Sequence, residues 1–282
     1  MKTKGRTPLI EDVEGNAKLM WITEKRTDRV LFYIHGGAYV MPVNPIMLGF
    51  SALVQEENLK RGNTDDFGVV AVTYSLHPER FPAQLTDITL GLTHLISSGV
   101  KQENIVLIGD SAGGNLIAQL LAHTLHPIKY PKPLGGACLL SPWLSMDTPT
   151  PSHKTNNSFD VVSSAWLLKC GRLYVEGVPK NHIPYIKPNT CGPEEHWFAD
   201  LDKYVSRVLI TGGDKEVLFD DATELYDGMK KGPNSSLDVE LVVDEDGIHE
   251  DPIFESMVPK KVGGISKTTV KVINWVAECF KH

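Results

Sequence analysis

The sequence predicts an α/β fold, with a mostly parallel central sheet, helices on both faces and a small helical cap inserted between two late strands. Three observations lead there. Short apolar, β-branched runs alternate with segments of helical period along the 282 residues, the order that builds parallel sheets through crossover helices. The run Gly68–Tyr74 (GVVAVTY) is short, β-branched and apolar, as in strands covered on both faces. In Ile105–His123 (IVLIGDSAGGNLIAQLLAH) a buried strand passes directly into a helix through a serine set between glycines.

The elements follow in order. Ala17–Thr23 and Arg29–Ile34 read as strands, followed by Gly68–Tyr74. Ala83–Gly99 has apolar residues at helical spacing and a closing glycine. Next come the Ile105–Ile108 strand, the helix after Ser111 and the strand Gly136–Ser141. Arg207–Gly213 is a strand, Asp221–Gly232 a helix, Leu237–Val243 a strand and Lys267–His282 an amphipathic helix. Between Ser141 and Arg207 lie about 65 residues without a strand-like run, beginning rich in Pro, Ser, Thr and Asn and containing one helix candidate, Asp160–Gly177. The chain therefore reads as one domain, 1–282, with a cap or lid at about 142–204 over the carboxyl ends of the strands, where open α/β sheets bind ligands.

Composition excludes several classes. The net charge is −7 and Lys and Arg form no cluster, so nucleic acid is not an expected partner. Cys138, Cys170, Cys191 and Cys279 are scattered, with no CxxC or other metal spacing. They suit a reducing compartment, and no metal or cofactor is expected. The first 18 residues lack the apolar core of a signal peptide. No run of 18 apolar residues predicts a membrane span. The expected location is the cytoplasm, and a homodimer is left open.

Chemistry concentrates at three places. A serine on a sharp strand-to-helix turn is held in a strained backbone conformation, and the positions two before and two after it must be small. Gly109 and Gly113 satisfy that requirement around Ser111. The new helix aims unsatisfied N–H groups and partial positive charge at whatever the hydroxyl attacks. Upstream, the strand Arg29–Ile34 ends in His35-Gly36-Gly37-Ala38-Tyr39. Two glycines let backbone N–H groups turn toward a developing oxyanion. Gly36 and Gly37 are the expected donors, with the Ala112 N–H as a third; His35 reads as a brace for the loop.

A nucleophile elbow of this type carries its triad in the order serine, acid, histidine. Apart from the terminal His282, His249 is the only one of ten histidines after the last predicted strand. His94, His123 and His126 fall in or at the ends of helices; His77 precedes a proline; His153, His182 and His196 lie in the insertion. His249 is the candidate base. The acid should follow Arg207–Gly213, where Asp214 and Glu216 both offer a carboxylate to orient the imidazole. Asp220 and Asp221 read as caps of the next helix.

Together HGGAY, YSLHPERFPAQLTD (Tyr74–Asp87), GDSAGGNL and SPW (Ser141–Trp143) resemble the hormone-sensitive-lipase-like branch of the α/β-hydrolases, and within it the fungal steryl acetyl hydrolase and small-ester esterase type. The resemblance runs over nearly the whole chain after about Val30. It implies a catalytic triad of Ser111, Glu216 and His249, with Glu216 at the first position of the family's acidic-x-Leu-x-Asp pattern (EVLFD). It implies hydrolysis of a short-acyl ester of a lipophilic alcohol, such as an acetate, through an acyl-enzyme. Family members usually carry more chain ahead of the His-Gly-Gly loop than the 34 residues found here, which predicts an incomplete cap and a more open pocket. The alternatives are an arylformamidase, a hydrolase-like biosynthetic enzyme for lactone opening, cyclisation or dehydration, and a non-catalytic ligand receptor.

Overall fold

The computed structural model describes residues 9–62, 66–122, 133–188, 197–198, 200–231, 237–257 and 264–281. Cys191, His123, His126, His196 and His282, and part of the predicted cap, lie outside the described residues.

Eight strands form one sheet: β1 (Leu9–Asp12), β2 (Lys18–Trp21), β3 (Val30–Ile34), β4 (Gly68–Thr73), β5 (Ile105–Asp110), β6 (Gly136–Leu140), β7 (Arg207–Gly213) and β8 (Asp238–Asp244). Their order is β1-β2-β4-β3-β5-β6-β7-β8. β1 pairs antiparallel with β2 and β2 with β4; every pairing from β4 to β8 is parallel. The parallel part is the fold the sequence predicts.

Strand residues alternate between two cores. Leu31 and Tyr33 join Val69, Val106, Ile108 and Leu209 under α1 (Pro45–Arg61) and α9 (Lys267–Cys279). Phe32 and Ile34 face the opposite way, with Val70, Val72 and Leu107, toward α2 (Ala83–Ser97) and α3 (Ala112–Leu121). Because both faces are covered, β3 and β5 are buried along their whole length, which is why they read as continuous apolar runs rather than alternating ones.

β1 and α1 are among the elements that the sequence reading does not contain. β1 is a short edge strand with Leu9 and Ile10 about half exposed, too brief to leave a pattern. Helix α1 has end signals instead of a clean apolar stripe. The Asn44 side chain accepts from the Ile46 and Met47 N–H groups, Pro45 takes the first turn, and Gly62 closes the helix at φ 62°. Among the described residues no helix is long and apolar enough to cross a membrane.

The 142–204 segment contributes α4 (Pro151–Thr155), α5 (Ser164–Val175) and α6 (Ile183–Ile186). It packs on the strand ends at several points. Tyr174 stacks on Tyr39 with ring centroids 3.8 Å apart, and the Asn115 side-chain amide donates to the Ile186 carbonyl at 2.9 Å. Arg80 pairs with Glu176 at 2.7 Å. His153 bridges Ser145 and Ser164 at 2.8 Å on either ring nitrogen, so it ties the segment together rather than serving a site. β7 is followed by α7 (Phe219–Lys231), and β8 by the short α8 (Asp251–Glu255).

Candidate active site

Ser111 stands between β5 and α3 at φ 49° and ψ −114°, a strained conformation for a residue with a Cβ. Three backbone hydrogen bonds hold it: its N–H donates to Leu140 O at 2.9 Å, and its carbonyl accepts from Asn115 N at 3.0 Å and Trp143 N at 3.1 Å. The two glycines are steric requirements. A Cβ on Gly109 would sit 2.8 Å from the Gly113 carbonyl carbon and oxygen, and one on Gly113 would sit 2.0 Å from Ile34 O. The elbow is thus clamped against the end of β3, the strand that delivers the His-Gly-Gly loop.

In that loop the structure corrects one expected donor. The Gly36 N–H donates to Asp110 Oδ2 at 2.9 Å. β3 and β5 are parallel neighbours with Ile34 opposite Gly109, so the Asp110 carboxyl arrives beside Gly36 and captures its N–H, which is then not free for an oxyanion. Tyr33 also donates its hydroxyl to Asp110. Gly37 is at φ 102°, and Ala38 and Tyr39 follow at φ 52° and 63°. This run of left-handed residues turns the backbone inward. Among the described residues the N–H groups of Gly37, Ala38 and Ala112 donate to no protein acceptor. Ala38 is the donor candidate that sequence reasoning overlooked. His35 behaves as a brace: Nδ1 lies 2.7 Å from Gly36 O, and its ring stacks on Tyr74 at 4.2 Å. Tyr74 donates to His35 O at 2.7 Å. Burial pushes the His35 imidazole down to about 4, so it is neutral and Nδ1–H is the donor.

His249 lies on the loop between β8 and α8. Its Nδ1 is 3.4 Å from Glu216 Oε2, and both side chains are almost fully buried. That separation is long for a hydrogen bond, and resting triads are often looser than reacting ones. The other candidate acid, Asp214, pairs with Lys215 at 3.2 Å and is about a third exposed; it makes no contact with His249. Of the two carboxylates, the structure brings Glu216 to the imidazole. Two side chains of the insertion fix this corner. Asp160 accepts from His249 N at 2.9 Å and from Val217 N at 2.7 Å. Asn156 donates to the carbonyls of Asp214 and Glu216 at 3.0 and 2.9 Å.

The corner is crowded with negative charge. Burial raises the Glu216 carboxyl above its ordinary range, against the opposing pull of His249. Burial alone would lower the His249 imidazole, but Glu250 and Glu216 outweigh it and raise it to about 9. Glu250 is the third carboxyl, with Oε1 3.4 Å from His249 Nε2. Ser111 and His249 are not joined by a hydrogen bond in this structure; Nε2 faces Glu250 instead. Asp110, Asp160 and Glu250 are functional candidates that the sequence did not single out. Each is an acid in an acid-rich chain, and only the fold shows that they converge.

Comparison with known proteins places the chain in a family. Among curated proteins, an acetyl-hydrolase from Streptomyces hygroscopicus is 29% identical over 75% of this chain, and the aligned region spans 65% of the length of that relative. A crystal structure of the esterase EstE5, soaked with p-nitrophenyl butyrate, superposes with a TM-score of 0.75 at 25% identity, covering 98% of this chain and 85% of that one. The hormone-sensitive-lipase homologue EstE7, from a metagenome library, also superposes at 0.75, with 22% identity over 100% of this chain and 89% of its own, and so shares the fold. The fold is that of the hormone-sensitive-lipase-like α/β-hydrolases. The profile described as steryl acetyl hydrolase matches residues 14–265, and the chain belongs to that family.

Proposed function

We propose that the protein is a serine esterase that cleaves a short-acyl carboxylic ester, such as an acetate of a lipophilic alcohol, with Ser111 as nucleophile, His249 as general base and Glu216 as its acid partner. The observation that carries the reading is the Ser111 elbow. A strained serine is pinned between two sterically required glycines beside backbone N–H groups that have no acceptor, and this is the constellation acyl transfer needs.

In the first step His249 Nε2 takes the Ser111 Oγ proton while Oγ bonds to the ester carbon. The carbonyl oxygen gains charge opposite the N–H groups of Gly37, Ala38 and Ala112. Collapse breaks the carbon–oxygen bond to the alcohol, which leaves with the proton from His249. In the second step His249 draws a proton from water as its oxygen bonds to the acyl carbon; collapse breaks the bond to Ser111 Oγ, which takes the proton from His249 as the carboxylic acid leaves. Glu216 holds the Nδ1–H tautomer and balances the imidazolium. The 142–204 segment acts as a cap. Its Tyr174 packs on Tyr39 of the oxyanion loop and its Asp160 on the His249 loop, so the segment touches both sides of the proposed site.

The reading is tested by labelling with a fluorophosphonate and by a panel of p-nitrophenyl esters. Ser111 should be labelled, and acetate to butyrate should be cleaved faster than long chains. Absence of labelling rejects the serine nucleophile, and a maximum at dodecanoate or longer rejects the short-acyl substrate.

A further inference from the structure

Glu250 has no role in the two-step mechanism, yet it occupies its centre. It follows His249 directly and opens α8 in a left-handed conformation, φ 59° and ψ 27°, which glycine adopts at no steric cost and glutamate does not. Its side chain is only 10% exposed, with Oε1 3.4 Å from His249 Nε2. The same Oε1 lies 3.0 Å from where a Cβ on Gly36 would stand, and Asp110 Oδ2 lies 2.3 Å from that point. The two carboxyls therefore meet beside the His-Gly-Gly loop, on the side of the imidazole that Ser111 must reach.

We propose that Glu250 is a positioning residue for the general base: its carboxyl, joined to Asp110, holds the Nε2 side of His249, keeps the resting imidazole protonated and unbonded to Ser111, and so sets the pH at which Ser111 becomes a nucleophile. The catalytic consequence rests on the triad reading above; the effect on the imidazole does not.

The charges around the ring are enough for this. Glu216 faces Nδ1 from the loop after β7, Glu250 faces Nε2, Asp160 of the insertion accepts the His249 backbone N–H, and Asp110 stands behind Glu250 at the end of β5. Tyr33 and Tyr74 face the Asp110–Glu250 pair, and burial keeps both phenols neutral. In so dry a site two adjacent carboxyls do not both ionise. Burial, then the charge of Asp110, raises Glu250 well above the usual carboxylate range. Burial raises Asp110 as well, so the pair holds one proton and one negative charge, shared between Asp110 and the carboxyl that faces the imidazole. Catalysis needs this contact broken and Nε2 returned to Ser111.

The test is the titration of the His249 ring followed by NMR in the full chain, assigned by its loss in H249A, together with the pH dependence of fluorophosphonate labelling of Ser111. In E250Q and in E250G, where glycine suits the backbone, the His249 midpoint should fall by about one pH unit or more. Labelling near pH 6, relative to each variant's alkaline plateau, should then rise about tenfold. D110N removes the charge that competes with Glu250, so its midpoint should hold or rise. An unchanged midpoint in the folded E250Q and E250G proteins overturns the proposal. So does a fall in D110N as large as in E250Q, which would put the charge on Asp110. The midpoint decides the role of Glu250 even if no ester is turned over, whereas a failed ester panel rejects only the esterase reading.

Discussion

The two halves of the proposed site, nucleophile and acid–base, are built by different physics. The nucleophile half is held by backbone sterics: Ser111 is strained, three main-chain hydrogen bonds fix it, and neither Gly109 nor Gly113 has room for a methyl group. The acid–base half is held by charge. Glu216 and Glu250 flank His249 at 3.4 Å on either nitrogen, and Asp160 secures the backbone. The first half has one geometry available to it. The second has a ring between competing carboxyls, with its direction of engagement set by protonation. A close-packed elbow is insensitive to pH, and an imidazole in such company is not.

The largest effects should come from breaking either half at its reacting atom. S111A and H249A should each lower ester turnover by about 10⁴-fold or more with the fold intact by circular dichroism. Near-normal turnover in either variant would dissolve the distinction between a steric and an electrostatic half, because neither would then be the site. Next in size is the choice of acid. E216Q should cost up to about 10⁴-fold in kcat, since the amide neither fixes the tautomer nor balances the imidazolium. D214N should cost far less, because the Asp214 carboxylate pairs with Lys215 instead. A greater loss in D214N would move the acid two residues upstream.

D160A sharpens the contrast further. It removes the acceptor for both His249 N and Val217 N, which lets the histidine and acid loops drift. A misplacement of about 1 Å costs up to about 10²-fold in rate, so kcat should fall by up to that factor while Ser111 is still labelled at its alkaline plateau. The clearest structural consequence belongs to G113A. Its methyl meets Ile34 O, and overpacking of this kind costs about 3 kcal/mol, which lowers Tm by about 5 °C in a chain of this size. Tm unchanged by G113A would show that the elbow is not held by sterics.

The same division explains what the sequence discloses. Steric demands are written in residue type at fixed spacing, so Ser111, Gly109, Gly113 and the buried strands β3 to β7 are legible from local pattern. Helix α1 was legible in principle through its end signals, Asn44-Pro45 and Gly62, although its apolar residues make no clean stripe. The carboxyl cluster was not. Asp110 shares a motif with Ser111, but its hold on Gly36 depends on β3 and β5 lying side by side. Asp160 reaches His249 across 89 residues, and nothing local marks it among 35 acidic residues. The sequence offers Gly36 as a donor to substrate for the same reason: its N–H is claimed by the Asp110 carboxyl, on a strand that the sequence does not place beside it.

Asn156 and Asp160 sit one turn apart in the 142–204 segment and between them hold the carbonyls of Asp214 and Glu216 and the N–H groups of Val217 and His249. That segment is therefore not a detachable module. A chimera that swaps it for the corresponding stretch of a relative, in the hope of transplanting substrate preference, also swaps the supports of the proposed acid and base. Recombination in this family should succeed only where the donor stretch brings an amide and a carboxylate to those two places, and a library that keeps Asn156 and Asp160 while varying α5 and α6 would be the productive way to vary the proposed specificity.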